Sequence, residues 1–439
     1  MSPLAARFWD DWQTVAALVI FAGTYLVIAV GKLPGYRLDR AGAALLGAAL
    51  MVGLGVLPLE AAYRAIDFDT ITLLLGMMIL VANLKLSGFF RLVNGFIMTR
   101  ARHPLVLLIA VVLVCGFFSA FLVNDTICLI MTPIVAELVI SLKRNPLPYL
   151  LAIPMASNVG STATITGNPQ NMIIGSLSQI PYGNFAAALS PVAAAGLVLT
   201  VLLIAAIYRD EFLGRAGLAQ PPARSARYHG PLVVKSVLVA IAMMALFFAG
   251  LPVAGVAIVG GALLLFTRRV KADKIYFEID WPLLLMFVGL FVVVAGLEHA
   301  VLTPEAATAI GRLHLQSAPV LAALTAGLSN VVSNVPAVLV LKPFVAGLPD
   351  PQRAWLLVAM ALDARRQSHL GRIGGQSHRG AARAPLRRHH RLLAALPGRR
   401  AAHVFDDPGR PVVAVTANVN ITNITRQASR SWPSPRSPA

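Results

Sequence analysis

Residues 150–177 decide the fold, and they read LLAIPM, ASNVGSTATITGNPQN and MIIGSL. The two apolar flanks are each too short to span a membrane, but together they make one crossing. The sixteen residues between them are rich in hydroxyl and amide side chains, and Gly160, Gly167 and Pro169 interrupt a regular helix. Such backbone is tolerated at membrane depth only where protein or a water-filled cavity surrounds it. The pattern therefore predicts a broken transmembrane helix, with a polar external loop as the alternative.

The composition places this broken helix in a polytopic membrane protein. The chain has 439 residues, of which 57% are hydrophobic and only 13% charged, and its mean hydropathy is +0.73. Its apolar stretches are continuous, which excludes a β-barrel, and they supply about ten transmembrane helices. We therefore predict an all-α, multi-pass integral membrane protein with inverted-topology repeats, re-entrant hairpins and broken helices. A bacterial inner or plasma membrane is the expected location.

The basic loops predict the topology. The loops at 90–103 and 142–148 both carry Lys or Arg, which are retained on the cytoplasmic side. The chain between them must enter and leave on one side, either by crossing twice or as a re-entrant hairpin. We favour a hairpin, because the polar triplet Asn124-Asp125-Thr126 lies at its midpoint. The amino terminus is then predicted outside.

The apolar runs divide the chain into six segments. The predicted organisation is 1–58, N-terminal transmembrane helices forming a scaffold; 59–208, a first repeat with a hairpin and a broken helix; 209–231, a cytoplasmic loop; 232–267, linking transmembrane helices; 268–361, a second and incomplete repeat; and 362–439, a basic tail.

An internal repeat relates the two halves. The matching positions are Ile66-Asp67-Phe68, Gly76 and Ala82 with Ile279-Asp280-Trp281, Gly289 and Ala295 at an offset of 213, and Ser119, Asn124 and Pro133 with Ser329, Asn334 and Pro343 at an offset of 210. The first copy follows an acidic loop and the second follows a basic loop, so they enter the membrane from opposite faces. Inverted repeats with discontinuous helices are the signature of secondary transporters.

The residues that could carry chemistry lie at the two hairpin tips and in the polar break. The candidate substrate- and ion-binding residues are Asn124, Asp125, Thr126, Ser157, Asn158, Gly160, Thr162, Thr164, Gly167, Asn168, Pro169, Asn171, Ser333 and Asn334. An ionisable group at mid-membrane defaults to function, so Asp125 is read as a proton carrier or cation ligand, with helix capping as the alternative. A sodium ion would be held at Asn124, Asp125, Ser157 and Asn158.

Other ionisable residues are read as structural. Lys85 and Glu298 occupy corresponding positions in the two repeats, and snorkelling or structural pairing is expected for both. A structural role is also favoured for Lys342. No nucleotide-binding loop, metalloprotease motif or nucleophile elbow is present, so neither an enzyme nor ATP-driven transport is expected. No cofactor is expected beyond Na⁺ or H⁺ as coupling ion.

The motifs resemble those of the arsenite, citrate and divalent-anion permease superfamily over roughly residues 10–361. The resemblance rests on Ile66-Asp67-Phe68-Asp69 to Ser87-Gly88, on Val123-Asn124-Asp125-Thr126 to Pro133, and on Ala156-Ser157-Asn158 to Asn168-Pro169-Gln170-Asn171. It implies hairpin tips that hold sodium or proton sites, and polar breaks that face the substrate. It also implies a mobile transport domain beside a scaffold domain.

The resemblance ends where the repeat requires a second polar break. Met360-Ala361 match Met155-Ala156 at an offset of 205, but residues 363–439 hold 14 Arg against 3 Asp and supply +11 of the net charge of +18. Advancing the frame by one nucleotide from Leu362 permits STLAGNLTLVGSVAN, whose GSVAN falls opposite Gly167 to Asn171. We favour a reading-frame shift over a disordered basic tail that binds anionic lipid or RNA.

Together these features predict a secondary active transporter that works by alternating access. Its substrate is expected to be an inorganic or organic anion such as arsenite, citrate or a dicarboxylate, coupled to H⁺ or Na⁺. The alternatives are a Na⁺/H⁺ antiporter and a truncated, inactive membrane protein. The expected partners are a small anionic substrate and the lipid bilayer, with a homodimer as a candidate assembly and no nucleic acid.

Overall fold

The computed structural model describes residues 3–31, 38–100, 102–212, 228–267, 270–301 and 316–362. Most of the loop at 209–231, the tail from residue 363 and the second polar break expected in it lie outside these residues. The described residues form helices and contain no strand, as the all-α prediction requires. Among them, seven helices are long and apolar enough to cross a membrane.

The helices, in chain order, are α1 (Pro3–Val30), α2 (Arg40–Gly53), α3 (Leu59–Ala65), α4 (Phe68–Ser87), α5 (Phe89–Arg100), α6 (Pro104–Phe121), α7 (Asn124–Ser141), α8 (Pro146–Ser161), a 3₁₀ turn (Ile165–Gly167), α9 (Pro169–Ser178), α10 (Tyr182–Ile207), α11 (Arg209–Phe212), α12 (Gly230–Phe248), α13 (Val253–Leu265), α14 (Ala272–Phe277), α15 (Trp281–Val301), α16 (Ala318–Val332), α17 (Asn334–Ala346) and α18 (351–362). Short helices such as α3 occupy segments that the sequence analysis treats as loops. Glu60 in its first turn and Arg64 in its last turn complement the helix dipole.

The repeated Ile-Asp-aromatic motif is a helix start in both halves. Asp67 Oδ1 accepts a hydrogen bond from the Thr70 amide at 3.2 Å at the start of α4. Asp280 Oδ1 accepts from the Leu283 amide at 3.1 Å at the start of α15. A carboxylate at this position satisfies amide groups that have no intrahelical partner.

The two repeats interlock through a reciprocal pair of glycine contacts. On α4, a Cβ at Gly76 would overlap the backbone of Ala257 in α13, and on α15 a Cβ at Gly289 would come within 2.5 Å of the Ala44 carbonyl carbon in α2. Gly289 is the repeat partner of Gly76, and Ala257 is the repeat partner of Ala44, both at the offset of 213. The repeat thus extends to α2 and α13, which the sequence comparison does not include.

Helices α6 and α7 form a hairpin whose tip lies beside the second half of α4. Thr126, near the start of α7, lines the same cavity as Met78, Ala82 and Lys85, which occupy the later turns of α4. At the opposite end, the Tyr149 hydroxyl of α8 donates to the Pro104 carbonyl at the start of α6. Both α6 and α7 are among the helices long and apolar enough to cross a membrane, so the re-entrant hairpin stays a prediction.

Candidate functional site

The first hairpin tip is bonded directly to the end of α8. Asn124, which is 1% exposed, donates from Nδ2 to Asn158 Oδ1 at 3.0 Å. Ser157 Oγ donates to the Asn124 carbonyl at 2.9 Å and lies 2.6 Å from Ser119 Oγ. Three of the predicted site residues are therefore brought together, with Ser119 as a fourth member that the candidate set omitted. The match between Ser119 and Ser329 in the internal repeat is the sequence feature that could have identified Ser119 as a site residue.

Close backbone packing makes this contact possible. Gly160 of α8 faces Gly116 of α6, and a Cβ at Gly160 would lie 2.5 Å from Gly116 Cα and would overlap its carbonyl group. In the break itself, a Cβ at Gly167 would overlap the Ser161 backbone. Both glycines of the candidate set thus allow two backbone segments to approach where no side chain fits.

The polar break satisfies much of its own freed backbone. Asn168 caps α9, because its Oδ1 accepts from the Asn171 amide at 2.8 Å, and Pro169 occupies the first turn, where it needs no hydrogen-bond donor. Asn171 Nδ2 donates to the Ser161 carbonyl at 3.2 Å and to the Thr164 carbonyl at 3.0 Å. These amides hold the break in one shape.

Hydroxyl groups connect the break to its neighbours. Thr162 Oγ1 donates to the Asn158 carbonyl at 3.2 Å, and Thr164 Oγ1 donates to the Ala120 carbonyl in the hairpin. Thr164 is also bonded to Thr166, whose Oγ1 lies 2.8 Å from the Tyr182 hydroxyl. Tyr182 was not a candidate residue, because nothing in its local sequence marks a tyrosine 11 residues beyond Asn171 as a partner of the break.

Two amide oxygens in this site are buried and carry no hydrogen bond within the described part of the chain. They are Asn124 Oδ1 and Asn171 Oδ1. An unpaired buried carbonyl oxygen is costly unless something else binds it. Amide, hydroxyl and backbone carbonyl oxygens are ligands suited to hard monovalent or divalent cations. Asn124 Oδ1 at the hairpin tip and Asn171 Oδ1 in the break are therefore two candidate ligands for a small cation.

Asp125 and Thr126 belong to a different environment from Asn124. Thr126 lines a cavity of about 20 Å³ together with Lys85, Glu278 and Asp280, and Lys85 is paired with Glu278. Burial raises the pKa of Asp280, the Leu283 amide lowers it, and the charge of Asp125 raises it further. Asp125 therefore interacts electrostatically with a second carboxylate, that of Asp280. The predicted sodium site, which places only a cation beside Asp125, does not include this neighbour.

The second hairpin tip repeats part of the first. Ser333 connects α16 to α17 with a φ of +79°, a conformation that non-glycine residues adopt at a cost. Ser329 Oγ donates to Asn334 Oδ1 at 2.6 Å. Asn334 is buried, and its Nδ2 has no partner within the described residues. The position that matches Ser157 is Leu362, which is fully buried and has no hydroxyl to offer.

A sequence profile described as "citrate transporter" matches residues 18–362. The chain belongs to the citrate transporter family. The match ends where α18 gives way to the arginine-rich tail, so the departure of the tail from the family is confirmed. Together with the apolar helices, the match identifies a multi-pass membrane transport protein of this family.

Three relatives illustrate the range of the family. An uncharacterized transporter of Mycobacterium tuberculosis (strain CDC 1551 / Oshkosh) is 30% identical over 382 residues, covering 80% of this chain and 86% of that protein. A 46 kDa membrane protein of Mycobacterium leprae (strain TN) is 31% identical over 396 residues, covering 83% and 89%. A silicon efflux transporter of Oryza sativa subsp. japonica is 26% identical over 415 residues, covering 79% and 86%.

Proposed function

We propose that this chain moves a small anion across the membrane by alternating access, with a cation bound at the first hairpin tip as the coupling ion. The observation that carries the proposal is the closed contact between the tip and the polar break, formed by Asn124, Ser157 and Asn158. Among the described residues, Asn124 Oδ1 at the tip and Asn171 Oδ1 in the break are buried without partners. Sites of this kind, built from discontinuous helices, carry substrate and ion in secondary transporters.

Helix ends supply the attraction for an anion. The residue that precedes α7 is Val123, whose side chain makes no hydrogen bond to the first amide groups of the helix. The first amide groups of α7 and the positive end of its dipole favour negative charge, part of which Asp125 already supplies, so the anion is proposed to bind beside the start of α7 and the cation at the Asn124 amide oxygen. The family description names citrate, and this supports a small carboxylate or inorganic oxyanion as the substrate class.

The experiment is uptake into liposomes that contain the purified full-length chain. Radiolabelled citrate, succinate and arsenite are tested separately, each with an imposed Na⁺ gradient and with an imposed pH gradient. We expect one anion to accumulate under one of the gradients. Asn124→Ala removes the link to Asn158 and the free Oδ1 together, and it should reduce accumulation to the level of empty liposomes.

A matched control is available in α4. Asn83 is fully buried, its Nδ2 donates to the Ile79 carbonyl of its own helix at 2.9 Å, and its Oδ1, like that of Asn124, has no partner among the described residues. Asn83→Ala removes the same number of atoms without touching either tip, so uptake should persist. Equal loss in both variants would assign the effect to folding. Uptake that persists in Asn124→Ala would refute the coupling site.

A Na⁺/H⁺ antiporter is the second candidate, favoured by Asp125, whose charge adds to burial in raising the pKa of Asp280. The same liposomes, loaded with a pH-sensitive dye and given Na⁺ without any anion, test it. Proton movement that is abolished by Asp125→Asn would support the antiporter. Proton movement that appears only when an anion is present would support coupled anion transport.

A truncated, inactive membrane protein is the third candidate, and the second repeat favours it. Leu362 stands where the repeat requires the counterpart of Ser157, and the frame advanced by one nucleotide permits serine there. An inactive chain would show no uptake for any anion under any gradient, although Asn83→Ala and the parent are equally folded. Uptake by the chain as written would contradict it.

A further inference from the structure

Helices α16 and α17 form hairpin 2, the repeat counterpart of α6 and α7, which form hairpin 1. The second arm, α17, is tied at two points to the helices around it. Near the tip, the Tyr25 hydroxyl of α1 donates to the Pro336 carbonyl at 3.3 Å, and Tyr25 is 3% exposed. Six residues further along, Lys342 Nζ lies 3.5 Å from Glu298 Oε2 of α15. One helix thus meets α1 through a hydrogen bond and α15 through an ion pair.

The corresponding charge in the first repeat makes a different contact. Lys85 matches Glu298 at the offset of 213, but it pairs with Glu278, which directly follows α14. That pair joins the end of α4 to the segment that precedes α15, and it does not include hairpin 1. The repeat therefore carries an asymmetry: the charge at the end of α15 is paired with a residue of a hairpin, whereas the charge at the end of α4 is paired with Glu278, although it lines the same cavity as Thr126.

Ion pairs differ from apolar contacts in how they respond to movement. Glu298 is only about one quarter exposed, and its Oε1 is buried without a hydrogen bond within the described residues. Displacement of α17 would leave this carboxylate without Lys342 in a poorly solvated place, which is unfavourable. The pair therefore stabilises the conformation in which α17 is docked, and an inverted-repeat transporter needs a second conformation as well.

We propose that the Glu298–Lys342 ion pair and the Tyr25–Pro336 hydrogen bond act as a latch that holds hairpin 2 in one of two conformations. The latch is closed in the structure and opens when α17 moves away from α1 and α15. The inference rests on the proposed alternating-access function. Its test needs neither substrate nor coupling ion, so a failure of the latch is distinguishable from a failure of the transport proposal.

The experiment measures distances between spin labels in the full-length chain in lipid nanodiscs. Cys115 and Cys128 are buried and are replaced first, and labels are attached through Val19→Cys on α1 and Val331→Cys at the end of α16. Both valines are 66% exposed. Two distances are expected, one for each conformation of hairpin 2. Glu298→Gln and Lys342→Met should each raise the population at the second distance, relative to that at the first, about three- to fivefold, as expected for loss of one partly exposed ion pair.

Three further variants complete the test. Tyr25→Phe removes only the hydrogen bond and should shift the ratio in the same direction. The exchange Glu298→Lys with Lys342→Glu restores opposite charges and should return the distribution to that of the parent. Lys85→Met breaks the matched ion pair that does not involve a hairpin, and it should leave the distribution unchanged. Single variants indistinguishable from Lys85→Met, or an exchange that fails to restore the parent distribution, would overturn the latch.

Discussion

The backbone contact between Gly160 and Gly116 makes a stringent test of the site geometry. Gly160→Ala adds one methyl group, which would lie 2.5 Å from Gly116 Cα and would overlap its carbonyl oxygen. Ordinary carbon contacts lie at about 3.5–4.0 Å. Because the obstacle is backbone and not the end of a flexible side chain, α6 and α8 must separate by about 1 Å.

That separation has two measurable consequences. Overpacking of a close-packed interior costs about 1–3 kcal/mol, and a conflict with backbone belongs at the upper end, so we expect a loss of about 3 kcal/mol in the free energy of unfolding. In addition, the distance of 2.6 Å between Ser119 Oγ and Ser157 Oγ would grow to about 3.6 Å, beyond the range of a hydrogen bond. Stability and uptake should therefore fall together.

The assay is equilibrium unfolding of the purified protein in mixed micelles, followed by uptake into liposomes. Gly23→Ala is the control, because Gly23 lies within α1 and its added methyl group meets nothing within 4 Å. That variant should gain about 0.5–1 kcal/mol from the better helix former. A Gly160→Ala protein as stable as Gly23→Ala would refute the close approach of α6 and α8.

Three other predictions, two on side chains and one on the reading frame, can each be tested separately. Burial raises the pKa of Glu211 above its ordinary value of 4.5 despite Arg144, so its contribution to stability is complete below pH 4.5 and is lost as the pH rises through the folded pKa. Glu211→Gln should flatten the decline of the thermal midpoint above pH 4.5, and an unchanged slope would contradict this. Tyr182→Phe removes the bond to Thr166 and should slow uptake roughly two- to tenfold, whereas the exposed Tyr63→Phe should not. Resequencing the codons for residues 354–380 should reveal an inserted or deleted nucleotide, and an intact frame would rule out the frameshift.

Much of the fold follows from local pattern and from the internal repeat. The apolar runs and the two glycines and proline of the break predict α8 and α9 as one interrupted crossing, because irregular backbone in a membrane has few alternatives. The offsets of 210 and 213 place the two hairpin tips in equivalent positions. The reciprocal contact of Gly76 with Ala257 is not predictable in this way, because small residues are common in membrane helices and do not specify a partner.

The contacts of the candidate site are also predictable from the sequence only in part. Asn124, Ser157 and Asn158 meet as the motif comparison indicates, since each lies at a helix end that the pattern predicts. Asp125 could not be assigned by pattern, because adjacent residues at a helix start point in different directions. Its neighbour Asp280 is 155 positions away. Only the fold brings the start of α7 to the cavity that Lys85 and Asp280 line, and with it the two carboxylates within electrostatic reach of each other.

The reciprocal glycine contacts also constrain the order in which the chain can assemble. Gly76 of α4 needs the backbone of Ala257, which the ribosome produces about 180 residues later. Until then α4 must wait in the bilayer with its packing face covered by lipid or by another protein. Neither half of the chain can complete its interior alone, so separately expressed halves should regain protease resistance only when they are inserted into the same membrane. Synthesis of α13 is then the step that commits the first half to its final packing.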